Sequence, residues 1–190
     1  MTDHFAVLEL SRRPWIEPET VKSHVHRLTA QHHPDVAQTE DPEAFPRLTK
    51  AYTVLRAPAS RLRHLLELEY PGVFEGAALQ IPPALAERFM EVATLQRELQ
   101  VFAKQQSTAT SLTRALATSE GFSLKRDADK AAALLETELS RSLELLRAED
   151  AAWDQRDSET PRRLVQLHQE LAFLTKWTDE LREGRLALEE

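Results

Sequence analysis

Glycine occurs four times in this chain of 190 residues, and that scarcity constrains the fold more than any other feature. Tight turns between strands need residues that take positive φ without strain, and glycine is the default one. Leucine, alanine, glutamate and arginine dominate instead, and all four are good helix formers. An all-α fold is expected. Hydrophobic residues make up 42% of the chain, enough for a packed core and too many for a disordered segment. Cysteine is absent, which removes disulfides, cysteine zinc sites, cysteine-ligated iron–sulfur clusters and thiol nucleophiles together. The formal net charge of −7 argues against a nucleic-acid partner, which needs a basic footprint. No apolar run approaches the ~20 residues of a membrane span. The start, Met1-Thr2-Asp3-His4, has neither a basic lead nor an apolar signal core. A cytoplasmic protein with no resident cofactor and no membrane partner is expected.

Charge divides the chain. Residues 1–70 hold 9 basic and 10 acidic side chains, while 71–190 hold 15 and 21. The shift coincides with the turn signal Tyr70-Pro71-Gly72 and with residues 76–83. Two domains are expected, 1–70 and 83–190, joined by a linker over 71–82.

In the first region, Phe5, Val7, Leu8 and Leu10 suit one or two helical turns. Pro18 sits where a first helical turn tolerates proline, with Glu17 and Glu19 suiting the N-terminal dipole. Val21, Val25, Leu28 and His32 then recur at helical spacing, and Lys22, His26 and Arg27 lie on the other faces. This helix must stop before His33-Pro34, because the residue before proline is pushed out of the α region. Phe45, Leu48, Tyr52 and Leu55 predict a second helix, with Asp41 as a cap and its start near Phe45. Pro58 opens a further helix through Leu62, Leu65, Leu66 and Leu68. Pro34 stiffens the intervening loop and holds His33 out of the helix. Asp35 is a short acceptor for loop amides or for a partner's arginine. A stiff, polar tripeptide on a loop suits recognition; the plain alternative is a helix-ending turn with a solvated aspartate.

The string His26-Arg27-Leu28-Thr29-Ala30-Gln31-His32-His33-Pro34-Asp35, followed by Lys50-Ala51-Tyr52-Thr53-Val54-Leu55 and preceded by Asp3-His4-Phe5, resembles the J domain of DnaJ-like co-chaperones. The resemblance covers about residues 3–68. It implies an antiparallel helical hairpin with short flanking helices and a partner ATPase chaperone of the DnaK or HscA type. Lys22, His26 and Arg27 would then attract that partner, and His33, Pro34 and Asp35 would trigger its ATP hydrolysis. His26 stands where the family usually has Lys or Arg.

The histidines allow a different reading. His24, His26, His32 and His33 with Asp35 are ligand types that suit zinc or nickel in a metal enzyme. Against it, His24 and His26 point about 200° apart on a helix, and no His-x-x-x-His pair puts two ligands on one face. A purely structural adaptor with an inert loop is a third class.

Beyond residue 83, three amphipathic segments follow. The first runs through Leu85, Phe89, Val92, Leu95, Leu99 and Phe102. A second, capped by Asp127, runs through Ala131, Leu134, Leu135, Leu139, Leu143 and Leu146. Pro161 opens a third through Leu164, Leu167, Leu171, Leu174, Trp177, Leu181 and Leu188. Each has an apolar stripe to bury, so an antiparallel three-helix bundle is expected. Residues 107–123, rich in Ser and Thr and containing Gly121, read as a loop with a helical turn near Leu112 to Leu116.

A J domain followed by such a bundle is similar to the HscB-type branch, co-chaperones of iron–sulfur cluster assembly. Leu55-Arg56-Ala57-Pro58 with Arg61-Leu62 and Leu65-Leu66, Phe89-Met90-Glu91, Leu95-Gln96-Arg97-Glu98-Leu99 and Phe173-Leu174 carry this similarity. It implies that Phe89, Met90, Ala93 and Phe173 form a patch for a cluster scaffold protein. Ala93 replaces a larger aliphatic there, and residues 107–123 are an addition. An unrelated client is the alternative partner, and helical spacing by itself reads Phe89 and Phe173 as core.

Overall fold

The computed structural model describes residues 1–31, 43–75 and 85–186, the side chains of Arg114 and Ala115 excepted. Every regular element among them is helical: α1 (His4–Val7), α2 (Pro18–Gln31), α3 (Ala44–Arg56), α4 (Pro58–Glu69), α5 (Ala86–Thr108), α6 (Ser111–Leu116), α7 (Thr118–Ala151), a 3-10 turn (Trp153–Gln155) and α8 (Thr160–Leu186). Two compact units result. The first joins Met1–Ala78 to Leu143–Gln169, and the second joins Leu79–Ser142 to Glu170–Glu190. The division expected at 71–82 lies beside the end of the first stretch, but that expectation left out Leu143–Gln169.

In the first unit, Asp3 caps α1 by accepting from the amides of Phe5 (2.9 Å) and Ala6 (3.2 Å). Partial burial opposes ionisation of Asp3, but its bond with Arg12 and these amides hold its carboxyl below the usual range. Helix α1 ends on Glu9, at φ 54°, the left-handed conformation that closes helices. Helix α3 stops because Pro58 drives Ala57 into extended backbone (φ −95°, ψ 127°). Helix α3 packs against α1, α2 and α4. Phe5, Leu8, Val21, Leu28, Leu48, Leu55, Leu62, Leu65 and Leu66 are buried as expected. One stripe is shifted. Phe45, expected in the core, is 60% exposed, and Ala44 and Ala51 are buried in its stead with Leu48 and Leu55. The expected 3–4–3 spacing over Phe45, Leu48, Tyr52 and Leu55 becomes 4–3–4 over Ala44, Leu48, Ala51 and Leu55, where small alanines admit close helix approach. The proposed cap Asp41 lies outside the described residues.

Arg61 is 1% exposed. Its Nε donates to Pro14 O (3.2 Å) and its Nη1 to Leu55 O (3.0 Å), while its guanidinium stacks 5.6 Å from the Trp15 ring. Leu55 O is one of the last carbonyls of α3, so Arg61 satisfies a helix end as well as the α1–α2 connection. Leu143–Gln169 is fastened to the same unit by polar bonds. Asp150 accepts from Arg13 Nε (3.2 Å) and from the Trp15 amide (3.1 Å), and its carbonyl accepts from Arg13 Nη2 (2.9 Å). Arg147 covers Trp15 at 4.4 Å. Glu69 pairs with both Arg12 (3.1 Å) and Arg156 (3.4 Å).

Among the described residues of this unit, three histidines are buried. The His4 amide donates to His64 Nε2 (3.0 Å), and His168 Nδ1 lies 3.0 Å from Ala59 O. A ring nitrogen that accepts must be bare, so His64 is held neutral. Burial is the first cause lowering all three pKa values from 6.5, with Lys50 adding to it at His4, His4 at His64 and Arg63 at His168. As pH falls below 6.5 the unfolded chain takes protons that the folded unit resists. The stability from these histidines is therefore complete above about 6.5 and lost below it. Denaturant titrations at pH 7 and pH 5, read through Trp15 and Trp153, should show a fall that is shallower in His64→Gln. Asp3, with a lowered carboxylate pKa, acts only at more acid pH. An unchanged slope in the variant would refute the assignment to His64.

In the second unit, Leu85, Val92 and Leu99 meet Ala128 and Leu135 of α7 and Leu174, Trp177 and Leu181 of α8. Three long helices thus share one core, as expected. Two expectations fail in α7. Asp127 is not a cap but lies inside a helix that begins at Thr118, where it pairs with Arg126 (3.2 Å). Residues 107–123 are not mainly loop: α6 and the first turn of α7 occupy most of them. Gly121 explains the difference. A Cβ there would sit 3.0 Å from the Phe102 ring, so glycine serves close helix approach rather than a turn. Leu134 is 46% exposed, and Ala128 and Ala132 face the core instead. Leu188 lies outside the described residues.

Candidate functional site

Helix α2 buries Val21 and Leu28 and turns Lys22, His26 and Arg27 outward, all exposed. Two of the three meet acids. Lys22 Nζ lies 2.6 Å from Glu19 Oε1, which raises the lysine pKa. Arg27 Nη2 lies 2.6 Å from Glu9 Oε2, a carboxylate set in place by the left-handed turn that closes α1. Exposed pairs of this kind add little stability and exchange readily for a partner's acid. The face is therefore not a structural brace. His33, Pro34 and Asp35 lie outside the described residues, as does His32. Val25, expected on the buried stripe, is half-buried.

For the metal reading, His24 Nδ1 lies 2.8 Å from Leu8 O, so one ring nitrogen is committed to the end of α1. Among the described residues no group of three or more His, Asp or Glu is placed to hold a metal ion.

The second candidate surface divides in two. Phe89 and Phe173 are half-buried, and their rings lie 5.7 and 5.5 Å from that of Trp177. The structure brings these two together, from α5 and α8, over a buried tryptophan. Ala93 is half-buried on α5. Met90 is 63% exposed and borders a groove between α5 and α7 with Leu95, Ala131 and Leu134, rimmed by Arg88 and Lys130. Met90 is thus an exposed apolar side chain, whereas the phenylalanines serve the core with one edge open.

Sequence reasoning missed the Arg61–Trp15–Asp150 cluster. An arginine within a leucine-rich helix was its only local signal, and the 89-residue separation of Arg61 from Asp150 has no periodic signature.

Comparison with known proteins agrees with this architecture. The family model of the DnaJ domain matches residues 3–64. The fold is similar to that of the chaperone HscB from Vibrio cholerae, with 16% identity, a TM-score of 0.59 and 96% of each chain covered. No curated protein sequence matches the chain significantly. Residues 3–64 are therefore a DnaJ domain, and the fold of the chain is HscB-like.

Proposed function

We propose that the protein stimulates the ATPase of a DnaK- or HscA-type chaperone and delivers a client to it, without catalysing a reaction of its own. The observation that carries this is the DnaJ-domain match at residues 3–64, within which α2 presents Lys22, His26 and Arg27 to solvent. Electrostatic attraction by α2 brings the acidic face of the chaperone to the loop, where His33, Pro34 and Asp35 act as the trigger. Exposed Met90 and the half-buried Phe89, Ala93 and Phe173 receive the client. An iron–sulfur cluster scaffold is the client that the HscB-like fold favours.

The test is Asp35→Asn, which removes a charge and little volume. Single-turnover ATP hydrolysis by the partner should lose most of its stimulation while the helical circular dichroism stays that of wild type. Loss of helicity would make Asp35 structural and reject the trigger role.

Arg27→Glu probes the encounter. Exposed charges act on association rate more than on the final complex, so the variant should bind the chaperone more slowly and with a flatter salt dependence. Equal rates for both proteins at low and high salt would place docking elsewhere. For the client, co-purification with a cysteine-bearing cluster scaffold is the direct measurement. Its failure with ATPase stimulation intact would reject the scaffold and leave the J-domain role standing.

A further inference from the structure

Glu9 holds a backbone conformation that its residue type does not favour. Among the described residues it is the one non-glycine with positive φ, at 54°, a region where a side chain is strained and glycine is not. Hydrogen bonds fix the turn around it. The Glu9 amide donates to Ala6 O (3.1 Å) and the Leu10 amide to Phe5 O (2.9 Å), a helix-closing pattern whose left-handed position is usually glycine. Fully buried Phe5 and Leu8 hold the same turn on the core.

The turn is registered on α2 at two points. Leu8 O lies 2.8 Å from His24 Nδ1, and Glu9 Oε2 lies 2.6 Å from Arg27 Nη2. His24 and Arg27 are three residues apart on a helix and so share a face. Successive residues of the turn therefore meet successive turns of α2. Arg27 has a carboxylate from its own chain before any partner arrives.

Stability does not account for this arrangement. Side-chain exposures of 43% for Arg27 and 57% for Glu9 put the pair in solvent, where it returns less than the left-handed backbone costs. Lys22 differs. Its acid, Glu19, lies in the first turn of α2, where the helix dipole favours a carboxylate whatever it pairs with. Glu9 has no such second benefit. A strained residue held by well-formed surroundings points to a role outside stability.

We propose that Glu9 is a specificity-determining residue of the α2 docking face, an intramolecular competitor that occupies Arg27 until an acid of the chaperone displaces it. This rests on the docking role proposed above for α2. Arg27 gives Glu9 one hydrogen bond, through Nη2, so the pair is open to exchange. A partner that offers bidentate or clustered carboxylates wins the guanidinium from one exposed glutamate. A weakly acidic surface does not, and is rejected.

Equilibrium binding of the full chain to a DnaK-type chaperone tests this as a double-mutant cycle, in about 0.15 M salt to screen distant charges. Glu9→Gln keeps the shape, removes the competing charge and should tighten Kd about threefold. Arg27→Gln should weaken binding. In the Arg27→Gln background, Glu9→Gln should move Kd by less than about 1.5-fold, because Glu9 acts through Arg27. A second readout needs no partner: Glu9→Gly relieves the backbone and should leave the melting temperature unchanged or raised. Equal tightening in both backgrounds would make Glu9 a plain repulsive charge and overturn the proposal. An unchanged or weaker Kd in Glu9→Gln, with Arg27→Gln weakened, would overturn it while leaving the docking role of α2 intact. A melting temperature lowered by more than about 3 °C in Glu9→Gly would make the pair a brace and likewise overturn it. If Arg27→Gln binds as tightly as wild type, the docking role of α2 itself falls, and this inference falls with it.

Discussion

Arg61→Ala should lower the stability of the first unit by about 3–5 kcal/mol, enough to unfold much of it at 37 °C. Three losses combine. Truncation leaves a cavity where a fully enclosed side chain stood. The carbonyls of Pro14 and Leu55 lose charged donors at 3.2 and 3.0 Å, and buried acceptors without partners are costly. Trp15 keeps Arg147 at 4.4 Å but loses the Arg61 guanidinium at 5.6 Å. Burial pushes the Arg61 pKa down to about 10, opposed by Asp150 and Glu17, so the group remains charged at neutral pH and both hydrogen bonds are charge-assisted. Arg61→Met restores volume without donors and should recover part of the loss. Arg61→Lys should recover little, because a single ammonium cannot span two carbonyls held by a planar fork. Urea unfolding of the full chain, followed by fluorescence, measures this. The chain has two units, so its transition need not be two-state; a Trp177→Phe background leaves Trp15 and Trp153 as the reporters, both in the first unit. A shift under about 1 kcal/mol in Arg61→Ala would show that those carbonyls find other donors.

The places where the sequence reading succeeded and failed have physical reasons. Leu48 and Leu55, or Leu164 and Leu171, are large, and their spacing alone assigns them to the core. Alanine carries little hydrophobic signal, so a stripe built on Ala44 and Ala51 was read one residue late, on Phe45. The same ambiguity moved the buried face of α7 from Ala128 and Ala132 to Leu134. Serine, threonine and glycine over 107–123 have loop chemistry when considered locally. The helix there depends on tertiary packing that propensity does not encode, and Gly121 is favoured because Phe102 lies above it. Arg61 and Asp150 are connected only through the folded first unit. The J-like loop was legible for a different reason: a residue string carries chemistry that periodicity does not. Its partners on α2 were legible because polar residues facing away from Val21 and Leu28 must face solvent. Their ion pairs with Glu9 and Glu19 were not, since Glu9 reaches Arg27 only through the left-handed turn after α1.

Trp177→Ala should cost the second unit about 3–5 kcal/mol, and the alanine variants around it separate core from docking surface. Trp177 is 3% exposed and lies in the shared core of α5, α7 and α8. Phe89 and Phe173 rest on its ring at 5.7 and 5.5 Å, tilted arrangements that add to simple burial. Removing the indole therefore also removes the floor beneath both phenylalanines. Phe89→Ala and Phe173→Ala should each lose less than Trp177→Ala, because one edge of each ring is open. Each should be non-additive with Trp177→Ala, since contacting residues share the same energy. Met90→Ala should behave differently. At 63% exposure it should change stability by under about 0.5 kcal/mol and lower client affinity by about 2 kcal/mol, roughly thirtyfold in Kd. Trp177 fluorescence in urea serves every variant that keeps the tryptophan, and circular dichroism serves Trp177→Ala. Scaffold-binding titrations of the folded variants complete the set. If Met90→Ala unfolds the second unit while binding per folded molecule is unchanged, the client surface is not there. If the two phenylalanine variants lose affinity without losing stability, their open edges, rather than their contact with Trp177, dominate their role.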